Sequence, residues 1–312
     1  MSTGTDLVKT GQNAIRRVRF LPPGPSVGDI EVNTVRGIRD RGGPHEFLTP
    51  QRLDFDLFVR IEAGAAVHTV DFTDHDLGPG DVLWVRAGQV HRWGRIDDLE
   101  GTVVMFAPHA VDDRTRDLVR AALVRPRSHW SAVDLEDTPV PRAVDLLTLA
   151  TQPPAPGDHE LRQAALAHSL AAILAHLALV EPGGSAPSDG PTHEVYTWFS
   201  DHIEEHFRSW HKVSEYADRL GYSARTLNRL ARQHTGRSAK ELIDERVVLE
   251  AKRQLSHEDT PVSVVAEQLG FDDASNFSSY FRRQAGMTPG EFRDWSRGRR
   301  TDFDPSPSRG AP

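Results

Sequence analysis

Near its C-terminal end the chain carries the same stretch twice: VSEYADRLGYSARTLNRLARQHTG from Val213 and VSVVAEQLGFDDASNFSSYFRRQAG from Val262. The copies align at Val213/Val262, Ala217/Ala266, Leu220/Leu269, Gly221/Gly270 and Tyr222/Phe271. In each, a small residue lets two helices approach closely, a Leu fills the space between them, and the Gly ends the first helix in the left-handed conformation without a Cβ penalty. The following aromatic is expected to plug the small core, and Ser223 in one copy, Asp272 or Asp273 in the other, to cap the second helix. Leu227 and Leu230, or Phe277 and Phe281, recur at helical spacing and should face inward. A helix-turn-helix present twice points to major-groove reading rather than to catalysis.

The outward face of the first reader, with its cap, carries Ser223, Arg225, Thr226, Asn228, Arg229 and Arg232, side chains able to reach guanine or adenine edges or to hold phosphates. The second offers Ser275, Asn276, Ser278 and Ser279, then Arg282 and Arg283. Short hydroxyls there stand where long cations would reach the bases, so the second reader is expected to contribute less. A single Arg-bearing amphipathic helix could be no more than a solvated face; duplication argues against that.

Between the copies runs SAKELIDERVVLEAKRQLSHED, opened by Ser238 and Glu241 at capping-box spacing and free of Gly and Pro until Thr260 and Pro261. One continuous helix of about eighteen residues spans roughly 27 Å, to be set against the roughly 34 Å between successive major grooves on one face of B-DNA. Thr260 and Pro261 are expected to cap and start the next helix, and Thr288-Pro289-Gly290-Glu291 to do the same for a closing helix with Phe292 and Trp295.

Residues 193 to 298 resemble the DNA-binding domain of the AraC/XylS family of bacterial transcription regulators. The resemblance rests on GYSARTLNRLARQHTG, on R-x-x-x-E-A-K-R-x-L from Arg246 to Leu255, on VAEQLGFDDASNFSSYFRR and on GMTPGEFR from Gly286 to Arg293. It implies base-facing positions at Arg225, Asn228 and Arg229 in the first reader and at Ser275 and Ser279 in the second. At Ser279 many members carry Arg, a departure that leaves backbone anchoring as the expected task there.

The chain's 312 residues fit two globular domains. Its formal charge is −8, yet the segment from His193 to Arg300 is close to neutral, so the acidity sits in the N-terminal part and argues against its touching nucleic acid or an anionic membrane. There are no cysteines, which removes disulfides, thiolate zinc sites and cysteine nucleophiles. No signal-peptide pattern opens the chain, and its most apolar run, Ala164 to Val180, is interrupted by His168, Ser169 and His176; no membrane span and a cytoplasmic location are expected.

The first hundred residues alternate as strands do at LDFDLFVRI, AVHTVDF, DVLWVRA and GTVVMFA. The segment PGDVLWVRAGQVHRW resembles the second conserved motif of cupin barrels, with Gly80, Gly88 and His91 in register and Arg86 in place of the usual proline. That resemblance extends to the sensor domains of AraC-like regulators. A metal-binding cupin would also need a His-x-His near Arg52 to Asp56, where the chain reads Arg-Leu-Asp-Phe-Asp. No metal and no cofactor is therefore expected. His91, with His68, Trp84 and Trp93, is read as part of an effector pocket, with ordinary barrel packing as the alternative.

From about Arg114 the pattern turns helical, and Leu166, Leu170, Ile173, Leu177 and Val180 fall on a heptad seam. By resemblance this is a dimerisation helix; the alternative is packing on its own barrel. Glu181 to Thr192 reads as a flexible linker and residues 299–312 as a disordered tail.

The expected fold is a two-domain α+β protein: a cupin-like β-barrel over 1–110 with accessory helices over 111–180, a linker over 181–192, and an all-α domain over 193–298 in which a long helix joins two helix-turn-helix motifs. The expected function is sequence-specific binding of double-stranded operator DNA as a homodimer under a small-molecule effector, with RNA polymerase as a partner if it activates. The alternative is a metal-dependent cupin enzyme fused to a DNA-binding domain.

Overall fold

A computed structural model describes residues 16–20, 29–42, 47, 49–123, 127–149, 159–180, 191–256 and 260–301. Two five-stranded sheets face each other in the N-terminal half. The first has the order β1 (Arg16–Val18), β3 (Gln51–Leu53), β8 (Val90–Arg92), β5 (Ala66–Val70), β6 (Thr73–Leu77). The second runs β10 (His129–Trp130), β7 (Val82–Val85), β4 (Asp56–Ala63), β9 (Glu100–Phe106), β2 (Ile30–Thr34). Among the described residues only β1 and β3 pair in parallel, and every other pair is antiparallel.

The period of two along the strands divides their side chains between two cores. Leu57, Val59 and Ile61 of β4, Leu83 and Val85 of β7 and Val103 of β9 join Leu53, Val70, Leu77 and Trp93 between the sheets. The alternate residues Phe58, Val82, Trp84, Val104 and Phe106 face outward onto helices α2 (Asp113–Ala122), α4 (Val140–Leu149) and α5 (His159–Leu179). Both faces of the second sheet are therefore dry, which is why DVLWVRA reads as a nearly continuous apolar run. The short α1 (Val35–Gly42) and α3 (Ala132–Leu135) complete this half. Strand β10 lies inside the stretch expected to be wholly helical and pairs with β7 through Trp130 and Val82.

The stripe expected to pair two subunits is instead spent within the chain. Leu166, Leu170, Ile173 and Leu177 are buried, with Leu170, Ile173 and Leu177 at 0% exposure, in the core between α5, its neighbouring helices and the outer face of the second sheet. A heptad stripe records only that one helix face is apolar, and a sheet needing cover satisfies it as well as a second helix does.

The C-terminal half holds α6 (Pro191–His206), α7 (Val213–Leu220), α8 (Ala224–Thr235), α9 (Ala239–Ser256), α10 (Val262–Gln268), α11 (Ala274–Ala285) and α12 (Pro289–Thr301). One core serves all seven: Phe199 and Phe207 of α6 and its exit, Leu227 and Leu230 of α8, Ile243, Val247, Ala251 and Leu255 of α9, Phe277 and Phe281 of α11, and Phe292 of α12. Of the expected linker, residues 181–190 lie outside the described residues, and Pro191 and Thr192 already belong to α6. Of the expected tail, 299–301 continue α12 and the rest lies outside the described residues. Among the described residues no helix is long and apolar enough to cross a membrane.

Candidate nucleic-acid interface

Each reader is assembled by local rules. Gly221 takes φ 71° and its N–H reaches the Ala217 carbonyl, ending α7. Gly270 takes φ 73°, and a Cβ there would lie 2.2 Å from the Arg208 carbonyl oxygen, so this turn needs glycine for space as well as for conformation. Ser223 caps α8, its hydroxyl accepting from the Thr226 N–H at 3.1 Å, and Asp273, not Asp272, caps α11 by accepting from the Asn276 N–H at 2.7 Å. The expected aromatic plug holds in the second copy, where Phe271 packs on Phe277 and Tyr280. In the first copy Tyr222 is 37% exposed, because Tyr216, fully buried against Phe199 and Trp210, already fills the space.

The spacer α9 is unbroken over eighteen residues. Its start has the capping box expected of Ser238 and Glu241, with bonds in both directions. Buried Asp244 ties it to α11, accepting from the Tyr280 hydroxyl at 2.7 Å and from Gln284 Nε2 at 2.9 Å. The next helix departs from expectation: Pro261 itself holds the cap position of α10, without a side-chain bond, and Thr260 serves through its carbonyl, which accepts from Arg293. Thr288 and Glu291 make the expected reciprocal cap of α12.

With Leu227, Leu230, Ala231 and Thr235 turned inward, α8 presents exposed Arg225, Arg229 and Arg232. Arg225 and Arg229 have no hydrogen-bonding or ion-pairing partner among the described residues. Thr226 is half-buried and its hydroxyl lies 2.9 Å from that of Ser223. Asn228 does not share this freedom. Its Nδ2 donates to the Ala224 carbonyl at 3.0 Å and its Oδ1 accepts from the Ala239 N–H at 3.1 Å, so the side chain pins the start of α9 to the reader. On α11, Ser275, Ser279, Arg282 and Arg283 are exposed, Asn276 bonds back to Asp273, and the half-buried Ser278 bonds the Ala274 carbonyl.

The expected effector residues separate. His68 and His91 sit between the sheets with Nε2 and Nδ1 3.0 Å apart, and Trp93 meets the His68 ring edge-on at 4.8 Å. Burial pushes both imidazoles down, His91 to about 3, so the pair is neutral; His68 Nδ1 and His91 Nε2 have no partner among the described residues. Trp84 lies on the other side of the second sheet, its Nε1 donating to buried Asp56 at 2.8 Å. The same space between the sheets holds the apolar core, Trp93 included. Among the described residues no three of His, Asp and Glu gather as a metal site would require.

A contact that sequence reasoning missed joins the two halves. Arg253 of α9 grips Asp71 with two bonds, of 2.9 and 2.6 Å, at the tip of the β5–β6 hairpin. Phe72 beside it meets Phe292 edge-on at 5.3 Å, and Arg52 of β3 reaches the buried Glu250 at 3.2 Å. Glu250 and Arg253 stand in the very run that carries the family resemblance, but their spacing there signals only a helix.

The matching family models follow this organisation. Residues 33–189 match the AraC-like ligand binding domain and residues 216–294 a helix-turn-helix domain. The HTH-type transcriptional activator RhaS of Escherichia fergusonii is 28% identical over 249 residues, covering 77% of this chain and 85% of that protein. RhaS of Salmonella arizonae is 27% identical over 290 residues, covering 89% and 96%. Among solved structures, ToxT from Vibrio cholerae O395 covers 86% of this chain and 99% of its own at 10% identity and a TM-score of 0.40. The C-terminal domain of AraT from Geobacillus stearothermophilus covers 36% and 88% at 26% identity and a TM-score of 0.31. The chain belongs to the AraC family: it is a helix-turn-helix transcription regulator with an N-terminal ligand-binding domain.

Proposed function

We propose that this regulator reads a bipartite operator, with α8 in one major groove and α11 in the next, and that α8 supplies most of the base discrimination. One observation carries the reading: the two capped second helices stand on a single unbroken spacer, and α8 presents Arg225 and Arg229 with no hydrogen-bonding or ion-pairing partner among the described residues where α11 presents Ser275 and Ser279. Arg225 and Arg229 are read as base contacts and Arg232 as a phosphate contact. Ser275, Ser279, Arg282 and Arg283 anchor α11 to the backbone, and Ser223, Thr226, Asn228, Asn276 and Ser278 shape the surface from within.

Two copies of the chain are proposed to act together on DNA. The surface that supports this is the set of exposed leucines on the accessory helices, Leu146 and Leu149 on α4 and Leu161 on α5, since the buried stripe of α5 is committed to its own sheet. RhaS is described as a transcriptional activator; activation by this chain would add RNA polymerase as a partner. A regulator of this kind has to meet the chromosome, and a cytoplasmic location is proposed on that ground.

In vitro selection from random duplexes tests the reading. The expected product is a motif of two blocks centred about one helical turn, roughly 10.5 bp, apart, with the stronger block lost in Arg229→Ala. A single short block, or no enrichment, would overturn it.

A further inference from the structure

Where the two halves meet, a cleft of about 690 Å³ opens beside the ion pairs. Its walls carry Arg17 and Arg19 from the first strand and its exit, Arg52 from β3 and Arg208 from the α6–α7 corner, with Glu250 and Gln254 of α9 as the floor. The charge there does not balance. Glu250, with its side chain 2% exposed, is approached by four guanidiniums: Arg52 at 3.2 Å, Arg208 and Arg246 at 3.6 Å and Arg253 at 3.7 Å. Of these, Arg246 and Arg253 also have Glu204 and Asp71, whereas Arg52 and Arg208 have Glu250 alone among the described carboxylates. Arg17 and Arg19 have no carboxylate partner among the described residues. The other carboxylate of the wall, Asp54, is turned to the Phe20 N–H at 2.8 Å.

The strand pairing sharpens the imbalance. Arg17 and Arg52 stand directly opposite in the β1–β3 register, and like charges facing across a ladder repel. An occupant of opposite charge would relieve that repulsion, and planar guanidiniums suit a carboxylate or phosphate oxygen pair. The floor adds one further requirement: Gln254 Oε1 is buried with no partner among the described residues, an acceptor waiting for a donor.

We infer that this cleft binds a small hydroxylated oxyanion, a sugar-sized phosphate ester or carboxylate, whose charged end meets Arg17, Arg19 and Arg208 and whose hydroxyl meets Gln254. This names the chemistry and place of the effector in the regulator proposed above, and rests on that reading. The ligand touches both halves at once, so its binding energy differs between docked and separated arrangements, as a switch requires.

Titration calorimetry on the full chain at constant ionic strength tests it, with glucose 6-phosphate, gluconate and neutral glucose as probes. One or both anions should bind saturably at one per chain, the better one reporting whether phosphate or carboxylate is preferred, while glucose gives no heat. R17Q/R19Q, which changes only exposed side chains, and R208Q on the opposite wall should each weaken the anion at least tenfold. Absence of saturable binding by both anions, equal binding of glucose, or unchanged affinity in both variants would overturn the inference. Selection from random duplexes without any anion separates the two claims: a bipartite motif with no anion binding sinks the cleft alone, and its absence sinks the regulator reading.

Discussion

Arg253 and Asp71 face each other across the boundary between the halves, two nitrogens on two oxygens, with their side chains 9% and 11% exposed. The hairpin that offers Asp71 is strained to do so. Asp71 and Phe72 both adopt positive φ, 44° and 71°, the backbone of a primed hairpin turn that ordinarily selects Asn-Gly. Asp tolerates that region; a bulky residue such as Phe pays roughly 1 to 2 kcal/mol. The Phe72 ring on Phe292 and the Asp71 carboxylate on Arg253 offset it, so the turn is held in shape by the other domain.

Arg253→Met should therefore loosen the docking of the halves while leaving each folded, because the Met keeps the apolar stem and Asp71 keeps its bonds to Gln89 and the Val90 N–H. Small-angle scattering should show a larger radius of gyration than the parent. An unchanged radius would mean that Phe72 and Arg52 suffice to hold the arrangement.

Arg229→Ala should cost about 1 to 3 kcal/mol of discrimination at one base position. Gel-shift titrations against single-base operator variants read this directly. Equal weakening on every sequence would reassign Arg229 to the phosphate backbone.

Asn228→Ala should act through stability instead, since its Oδ1 accepts from the Ala239 N–H at the start of α9 rather than standing free. Loss of such a hydrogen bond costs about 0.5 to 1.5 kcal/mol. Urea unfolding of the variant should show that deficit, and its preferred operator bases should match the parent's; a changed base preference would return Asn228 to the groove.

Asp56 gives a pH signature. Burial raises its carboxyl to about 6, against the hydrogen bond from Trp84 and the pull of Arg86. Between its ordinary value near 3.8 and that raised value, the folded state holds a proton that the unfolded chain releases, so this contribution to stability is lost as pH rises through the window. Asp56→Asn, which keeps an acceptor for Trp84, should be more stable than the parent by up to about 3 kcal/mol at pH 7, and the gap should close by pH 4. Chemical denaturation across that range checks both ends.

Leu170→Ala should destabilise the N-terminal half by about 2 to 5 kcal/mol through the cavity it leaves. Light scattering should find the oligomeric state unaltered, because Leu170 meets its own sheet. A shift toward monomer at unchanged stability would restore the intersubunit seam.

How far the sequence could be read depended on whether a signal was local. The turns at Gly221 and Gly270, the caps at Ser223 and Ser238 and the inward Leu227 and Phe277 are decided within a few residues, and all stand where spacing put them. Faces were harder. A period of two says that Trp84 and Val85 point to opposite sides without saying which side is the interior, and a sheet dry on both faces hides the answer, so the sequence alone sets Trp84 beside His91 although a sheet separates them. The α5 stripe is ambiguous for the same reason, since it marks an apolar face without saying what covers it. Strand β6, TDHDL, has too little apolar alternation to announce itself and is set by pairing with β5. Asn228 and Arg253 were beyond reach, because their partners Ala239 and Asp71 are fixed by tertiary geometry.

The shared interior that binds α8, α9 and α11 into one packed unit limits how such a regulator can be governed. With α8 and α11 packed on that common frame, the proposed bipartite reading has their interval set by α9 and not by the barrel. Control has to act on delivery: whether the frame is free to settle on the operator, and from which angle it arrives.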